Sequence, residues 1–205
     1  MLDKKQIEDW LLSMHIRKYV ISDDLLVDVN GDVKISNKKL AKIPVKFGKV
    51  SGDFACYNNN LTSLENCPST VGGHFDCAFN NLTSLENCPT SVGVDFNCYH
   101  NNLTSLEHGP TSVGRGFYCS SNRLTSLEHC PTFVGGDFYC DGNNDIVSIE
   151  HCPTSVGGNF NAGNIKVPCS PAVSKWLITK DKYLFHIIDN PSPDMVSLYQ
   201  MLWEI

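Results

Sequence analysis

The sequence predicts an elongated solenoid with a parallel β-sheet along one side. Three observations carry this: a strict period of about 21 residues, alternation of apolar and polar residues inside each period, and proline and glycine at fixed places in it. The period is anchored by Phe54, Phe75, Phe96, Phe117, Phe138 and Phe160, spaced by 21 residues and by 22 at the last step. The extra residue lies in the Asp-Gly-Asn-Asn-Asp stretch 141–145.

Two residues after each Phe stands Cys56, Cys77, Cys98, Cys119 or Cys140, with Ala162 in the last copy. Phe and Cys therefore face one way and the residues between them the other, as side chains do in a short strand. Three residues further on comes Asn59, Asn80, Asn101, Asn122 or Asn143, whose side chain is placed to satisfy backbone groups where the strand turns away. An apolar pair such as Leu61 and Leu64 then closes the core. Pro68, Pro89, Pro110, Pro131 and Pro153 keep the return segment out of helix, because proline fixes φ and lacks an N–H. The Val-Gly or Val-Gly-Gly that follows supplies a turn, and so short a return is expected to be extended or 3₁₀.

The pattern Phe-x-Cys-x-x-Asn-x-Leu-x-x-Leu resembles the leucine-rich-repeat signature, with Phe and Cys where that family has its first two leucines. The resemblance covers residues 50–165. It implies a leucine-rich-repeat solenoid with the parallel β-sheet on its concave face and an extended or 3₁₀ convex side. The wording of the copies, LTSLENCPSTVGG at 61–73 and LTSLENCPTSVG at 82–93, is similar to short-repeat proteins of bacteriophages and giant viruses. That similarity implies a viral origin and does not imply a reaction.

A stacked sheet has raw edges, so caps are expected at both ends. Residues 1–49 are read as an N-terminal cap with a degenerate first coil. Ile7, Trp10, Leu11 and Met14 share one helical face; Leu25, Val27 and Val29 alternate before Asn30-Gly31, a hairpin turn signal; and Val33, Ile35, Leu40 and Ile43 follow. Residues 166–205 are read as an α-helical C-terminal cap, with Ser192 as an N-cap and Pro193 at the first helical position.

Composition narrows the function. A net charge of -6 is wrong for general nucleic-acid binding, which needs Lys and Arg to neutralise phosphates. The first 20 residues carry acids among their apolar residues, so they read as neither secretory signal nor membrane span, and a cytoplasmic protein is expected, in the host cell if the origin is viral. Ten cysteines then read as reduced thiols. Those at 56, 77, 98, 119 and 140 form one column and those at 67, 88, 130 and 152 a second, with Cys169 apart. Paired ligands of the Cys-x-x-Cys kind are absent, and in-register neighbours about 4.8 Å apart suit small buried hydrophobes better than disulfides. Neither metal nor cofactor is expected. His108, His129 and His151 lie beside a Glu column at 65, 86, 107, 128 and 150, which reads as an exposed polar face. Phosphate loops and hydrolase motifs are absent, so a hydrolase or metal protein is the weakest reading.

What differs between coils is more informative. The outward strand positions give Asp53, Tyr57, His74, Asp76, Phe79, Asp95, Tyr99, His100, Tyr118, Asp137, Tyr139 and Asp141 as the candidate partner-binding residues. Aromatics interleaved with carboxylates suit protein recognition. Residues 50–165 hold 11 acids against Arg115 and Arg123, while Lys34, Lys38, Lys39, Lys42, Lys46 and Lys49 crowd the first coil. The expected function is a non-catalytic module that engages a host protein with a basic patch, such as a defence component, with inhibition of that protein left open. The alternative is a structural protein that self-assembles through its solenoid ends. Reversing Asp95 and Asp137 to Lys is expected to weaken binding without lowering stability.

Overall fold

The structure is a computed structural model that describes residues 2–146 and 151–163. The helices expected over 166–205, and Cys169, lie outside the described residues. The chain forms a parallel β-solenoid, entered through one helix and one antiparallel strand.

Helix α1 (Lys4–Ser13) starts at a capping box: the Gln6 N–H donates to Asp3 Oδ1 and the Asp3 N–H to Gln6 Oε1, both at 2.9 Å. Its apolar face is the one the sequence predicts, with Ile7 and Leu11 buried and Trp10 and Met14 packed beside them. The Trp10 ring lies 6.3 Å from that of Phe47. Strand β1 (Tyr19–Ile21) pairs antiparallel with β2 (Val27–Val29).

The hairpin turn is therefore residues 22–26, and Asn30-Gly31 is not one. There the chain turns a corner from β2 into β3 (Val33–Lys34), which belongs to a different sheet. The Gly31 N–H donates to Ser51 Oγ of the next coil, and Gly31 has φ 138°, so the glycine serves an inter-coil corner instead of closing two strands on each other.

Each later coil contributes two short strands separated by such a corner. One set comprises β4 (Phe47–Val50), β6 (Thr70–Val71), β8 (Ser91–Val92), β10 (Ser112–Val113), β12 (Phe133–Val134) and β14 (Ser155–Val156). The other comprises β5 (Phe54–Ala55), β7 (Phe75–Asp76), β9 (Phe96–Asn97), β11 (Phe117–Tyr118), β13 (Phe138–Tyr139) and β15 (Phe160–Asn161). Together with β3 the second set makes a seven-stranded parallel sheet, while β1, β2, β4, β6, β8 and β10 make a six-stranded one and β12 pairs with β14. The return expected to be merely extended is thus itself a ladder. Its β-branched Val71, Val92, Val113, Val134 and Val156 point inward and stack in register, which favours pairing over an irregular path.

Inside, the Phe rings of successive coils stack with centroids 5.1 to 5.7 Å apart. The Cys column beside them and the Leu pairs are fully buried. The asparagines do more than fill a turn. Asn101 Nδ2 donates to the carbonyl of Cys98 at 3.1 Å and to that of Cys77, one coil earlier, at 3.0 Å; its Oδ1 accepts the Leu82 N–H at 3.0 Å. Asn59, Asn80, Asn122 and Asn143 repeat the Nδ2 pair, and Oδ1 of each accepts an N–H of the preceding coil. One buried amide per coil therefore satisfies two coils at once.

Among the described residues no helix is long and apolar enough to cross a membrane.

Candidate functional site: the outward ladder

The seven-stranded sheet places the twelve expected contact residues along its outer side, and they divide into two physical kinds. Asp53, Asp95 and Asp137 occupy the position just before the Phe, at the corner between the two strands of a coil. Their Oδ1 atoms accept the backbone N–H of the same position one coil on: His74 at 2.8 Å, Gly116 at 2.7 Å and Asn159 at 2.6 Å. Asp32 does the same for the Asp53 N–H at 3.1 Å. Asp95 also holds His74, whose Nδ1 lies 3.0 Å from Oδ2.

These carboxylates are part of the stacking. Reversing Asp95 and Asp137 to Lys removes two charge-assisted hydrogen bonds, so it lowers stability as well as any binding, contrary to the expectation from sequence. The signal was present, because Asp recurs at 53, 95 and 137 in an otherwise varying column. A recurring residue in a repeat marks an inter-coil role.

Asp76 and Asp141 sit on the strand face. Asp76 Oδ1 accepts the Ala78 N–H at 3.0 Å, and partial burial pushes its carboxyl up against the lowering effect of that bond. Asp141 Oδ1 accepts from Ser120 Oγ at 2.6 Å.

The aromatic residues form two groups. Phe79, Tyr99 and His100 come together in coils two and three, with ring centroids of Phe79–Tyr99 at 5.1 Å, Phe79–His100 at 4.9 Å and Tyr99–His100 at 5.8 Å. Tyr57 is exposed one coil before them. Tyr118 and Tyr139 meet edge to face at 5.4 Å in coils four and five. The Tyr118 ring crosses Gly116, where a Cβ would run into it. Burial pushes the Tyr118 hydroxyl up, and Asp95 and Asp137 add to this from either side.

Phe79 is the exception in its column. Asn58, Phe79, His100 and Ser121 all have φ between 51° and 54°, and Gly142 and Gly163 follow at 70° and 58°. Asn and Gly tolerate this left-handed region; a bulky aromatic pays about 1 kcal/mol for it. Yet Phe79 is 47% exposed. Among the described residues its aromatic packing is confined to the rings of Tyr99 and His100. Sequence reading placed Phe79 outward, but the strain depends on φ and was invisible to it. Phe133, 61% exposed where other coils carry Thr70, Ser91, Ser112 or Ser155, was missed although it too departs from the repeat.

The same conformation explains the histidine column. His108 and His129 stand at φ 64° and 68°, where Asn66 and Asn87 stand at 70° and 66°. They occupy a tight turn that suits Asn and His, and their contacts with Glu107 and Glu128 are long, at 3.8 and 3.9 Å.

None of the nine described cysteines is in a disulfide, and seven are buried. Burial pushes the Cys88 and Cys130 thiols up to about 12, and those of Cys67, Cys77, Cys98, Cys119 and Cys140 upward as well. The thiolate is the nucleophile that attacks alkylating reagents, so native protein at pH 8 is expected to label slowly at these positions and rapidly only after unfolding. Fast labelling of five or more thiols in a thiol titration of native protein would contradict the buried columns. Among the described residues no group of three metal-binding side chains converges.

Comparison of the chain with protein-family models, with curated proteins and with solved structures returns no match.

Proposed function

We propose that the protein is a non-catalytic, cytoplasmic binding module of the leucine-rich-repeat kind, and that the outward ladder is its recognition surface for another protein. One observation carries the reading: Phe79 is held half-exposed in a strained backbone conformation beside Tyr99 and His100. A strained backbone under an exposed aromatic side chain points to recognition. The Tyr118–Tyr139 pair extends the aromatic surface over two further coils. Half-spent carboxylates flank it, which suits a partner that presents Lys or Arg around an apolar centre. The likeness of the repeats to those of phages and giant viruses supports a host protein as the target, with inhibition as the consequence of occupying it.

The test separates binding from folding. Phe79→Asn places a residue suited to φ 53° at that position, so it is expected to hold or raise the thermal midpoint. Tyr118→Ala removes an outward ring. Both are expected to weaken capture of a partner by at least about tenfold, the scale of a hot-spot side chain. Captured partner is quantified on immobilised wild type and variants. Undiminished capture by both variants, with loss on reversing Glu86 and Glu107 instead, would move the surface to another side of the solenoid.

A further inference from the structure

The six-stranded sheet ends at β1, which among the described residues is an open edge. Its hydrogen-bonding phase is fixed by its flanks: the Asn30 N–H donates to the Lys18 carbonyl at 2.8 Å and the Ser22 N–H to the Leu26 carbonyl at 3.0 Å. Val20, opposite Asp28, falls between them in the same phase. In an antiparallel pair alternate residues turn their backbone groups to the partner, so Lys18, Val20 and Ser22 face β2 while Tyr19 and Ile21 aim their N–H and C=O outward. Among the described residues nothing accepts or donates at those outward groups. The central side chain, Val20, is 71% exposed, more than any other large hydrophobic residue described. The strand has neither proline nor lysine within it to discourage pairing.

The charges around this edge say what fits it. The segment reads Arg17-Lys18-Tyr19-Val20-Ile21-Ser22-Asp23-Asp24, with exposed bases before the strand and exposed acids after it. Reversed and laid against itself, it brings bases onto acids at both ends.

We propose that β1 is a dimerisation edge, filled by β1 of a second copy running antiparallel across a two-fold axis at Val20. Tyr19 of each copy then lies opposite Ile21 of the other, joining the two outward-facing pairs of backbone groups, and the two Val20 side chains cover each other. Arg17 and Lys18 of each copy come beside Asp23 and Asp24 of the other. The contact is isologous, so it closes at two copies and does not propagate into a filament. It is separate from the outward ladder and stands whether or not that ladder binds a partner.

The test is the mass of the full chain in solution, by sedimentation or light scattering over a dilution series. Wild type is expected to dimerise reversibly. Val20→Lys sets like charges against each other at the axis and is expected to raise the dimer dissociation constant at least about tenfold. A pair of charge variants keeps the result clear of folding effects. Arg17→Glu with Lys18→Glu, and separately Asp23→Lys with Asp24→Lys, are each expected to be monomeric with an unchanged thermal midpoint. An equimolar mixture of the two is expected to restore the dimer, because acids then meet bases at both ends. A wild type that stays monomeric to millimolar concentration, a dimer indifferent to Val20→Lys, or a mixture that stays monomeric would each overturn the proposal.

Discussion

Replacing Asn101 by alanine is expected to lower the stability of the solenoid by about 2–4 kcal/mol. The substitution leaves the buried N–H of Leu82 without its acceptor and takes one of two amide donors from each of the carbonyls of Cys77 and Cys98, which keep Asn80 and Asn122. The orphaned N–H costs about 1–3 kcal/mol, and each carbonyl that loses one of its two bonds adds up to about 1 kcal/mol. The damage is central, since Asn101 belongs to coil three and bonds to coil two. A solenoid is held by contacts between neighbouring coils, so weakening one junction in the middle loosens the coupling of the two halves. Urea denaturation should therefore show a lower midpoint and a shallower transition. Asn101→Asp restores the acceptor and not the donor, and should recover only part of the loss. A change within about 0.5 kcal/mol, the range of ordinary surface substitutions, would mean that water or a shifted backbone replaces the amide.

Gly114→Ala is the second large effect, expected to cost about 1–3 kcal/mol, the usual penalty for forcing extra volume against atoms that cannot give way. A Cβ at Gly114 would collide with the carbonyl oxygen and carbon of Gly93, and Gly93 meets Gly72 in the same way. The obstacle is backbone of the coil below, so it moves only if the coils separate. Gly116→Ala makes an informative contrast. There the Cβ meets the Tyr118 ring, and an outward ring can swing aside. Gly116→Ala is thus expected to cost less stability than Gly114→Ala while disturbing the aromatic surface. Thermal melts of the two variants decide this, and equal losses would show that Tyr118 is pinned as firmly as backbone.

Much of this architecture was legible because repetition amplifies weak signals. A single Phe-x-Cys says little, but five copies and a sixth with Ala162 for Cys, spaced by 21 or 22 residues, leave only a stack in which each copy meets its neighbour in register. The inward columns of Phe, Cys, Leu and Asn follow from that and are buried. The return strand was not legible. Ser-Val is two residues long and becomes a strand only because Ser91-Val92 finds Thr70-Val71 and Ser112-Val113 on either side. Asn30-Gly31 misled for the same reason, since the dipeptide reports a tight turn but not whether the chain then joins the same sheet or the next.

At the candidate site the division is sharper. Which residues face outward is a matter of alternation, and the sequence by itself determined it for Tyr57, Tyr99, Tyr118 and Tyr139, together with the period, the core columns and the apolar face of α1. Only the tertiary structure decided what those outward residues do. It tied Asp53, Asp95 and Asp137 into bonds with the coil above, gathered Phe79 with Tyr99 and His100, and set Phe79 at a φ of 53°. Among the described residues it also left β1 as an open edge. The physical reason is range. Alternation and period are properties of neighbouring residues along one strand, whereas a carboxylate's hydrogen bond, a backbone strain and an unpaired edge depend on what the next coil, or its absence, places a few ångströms away.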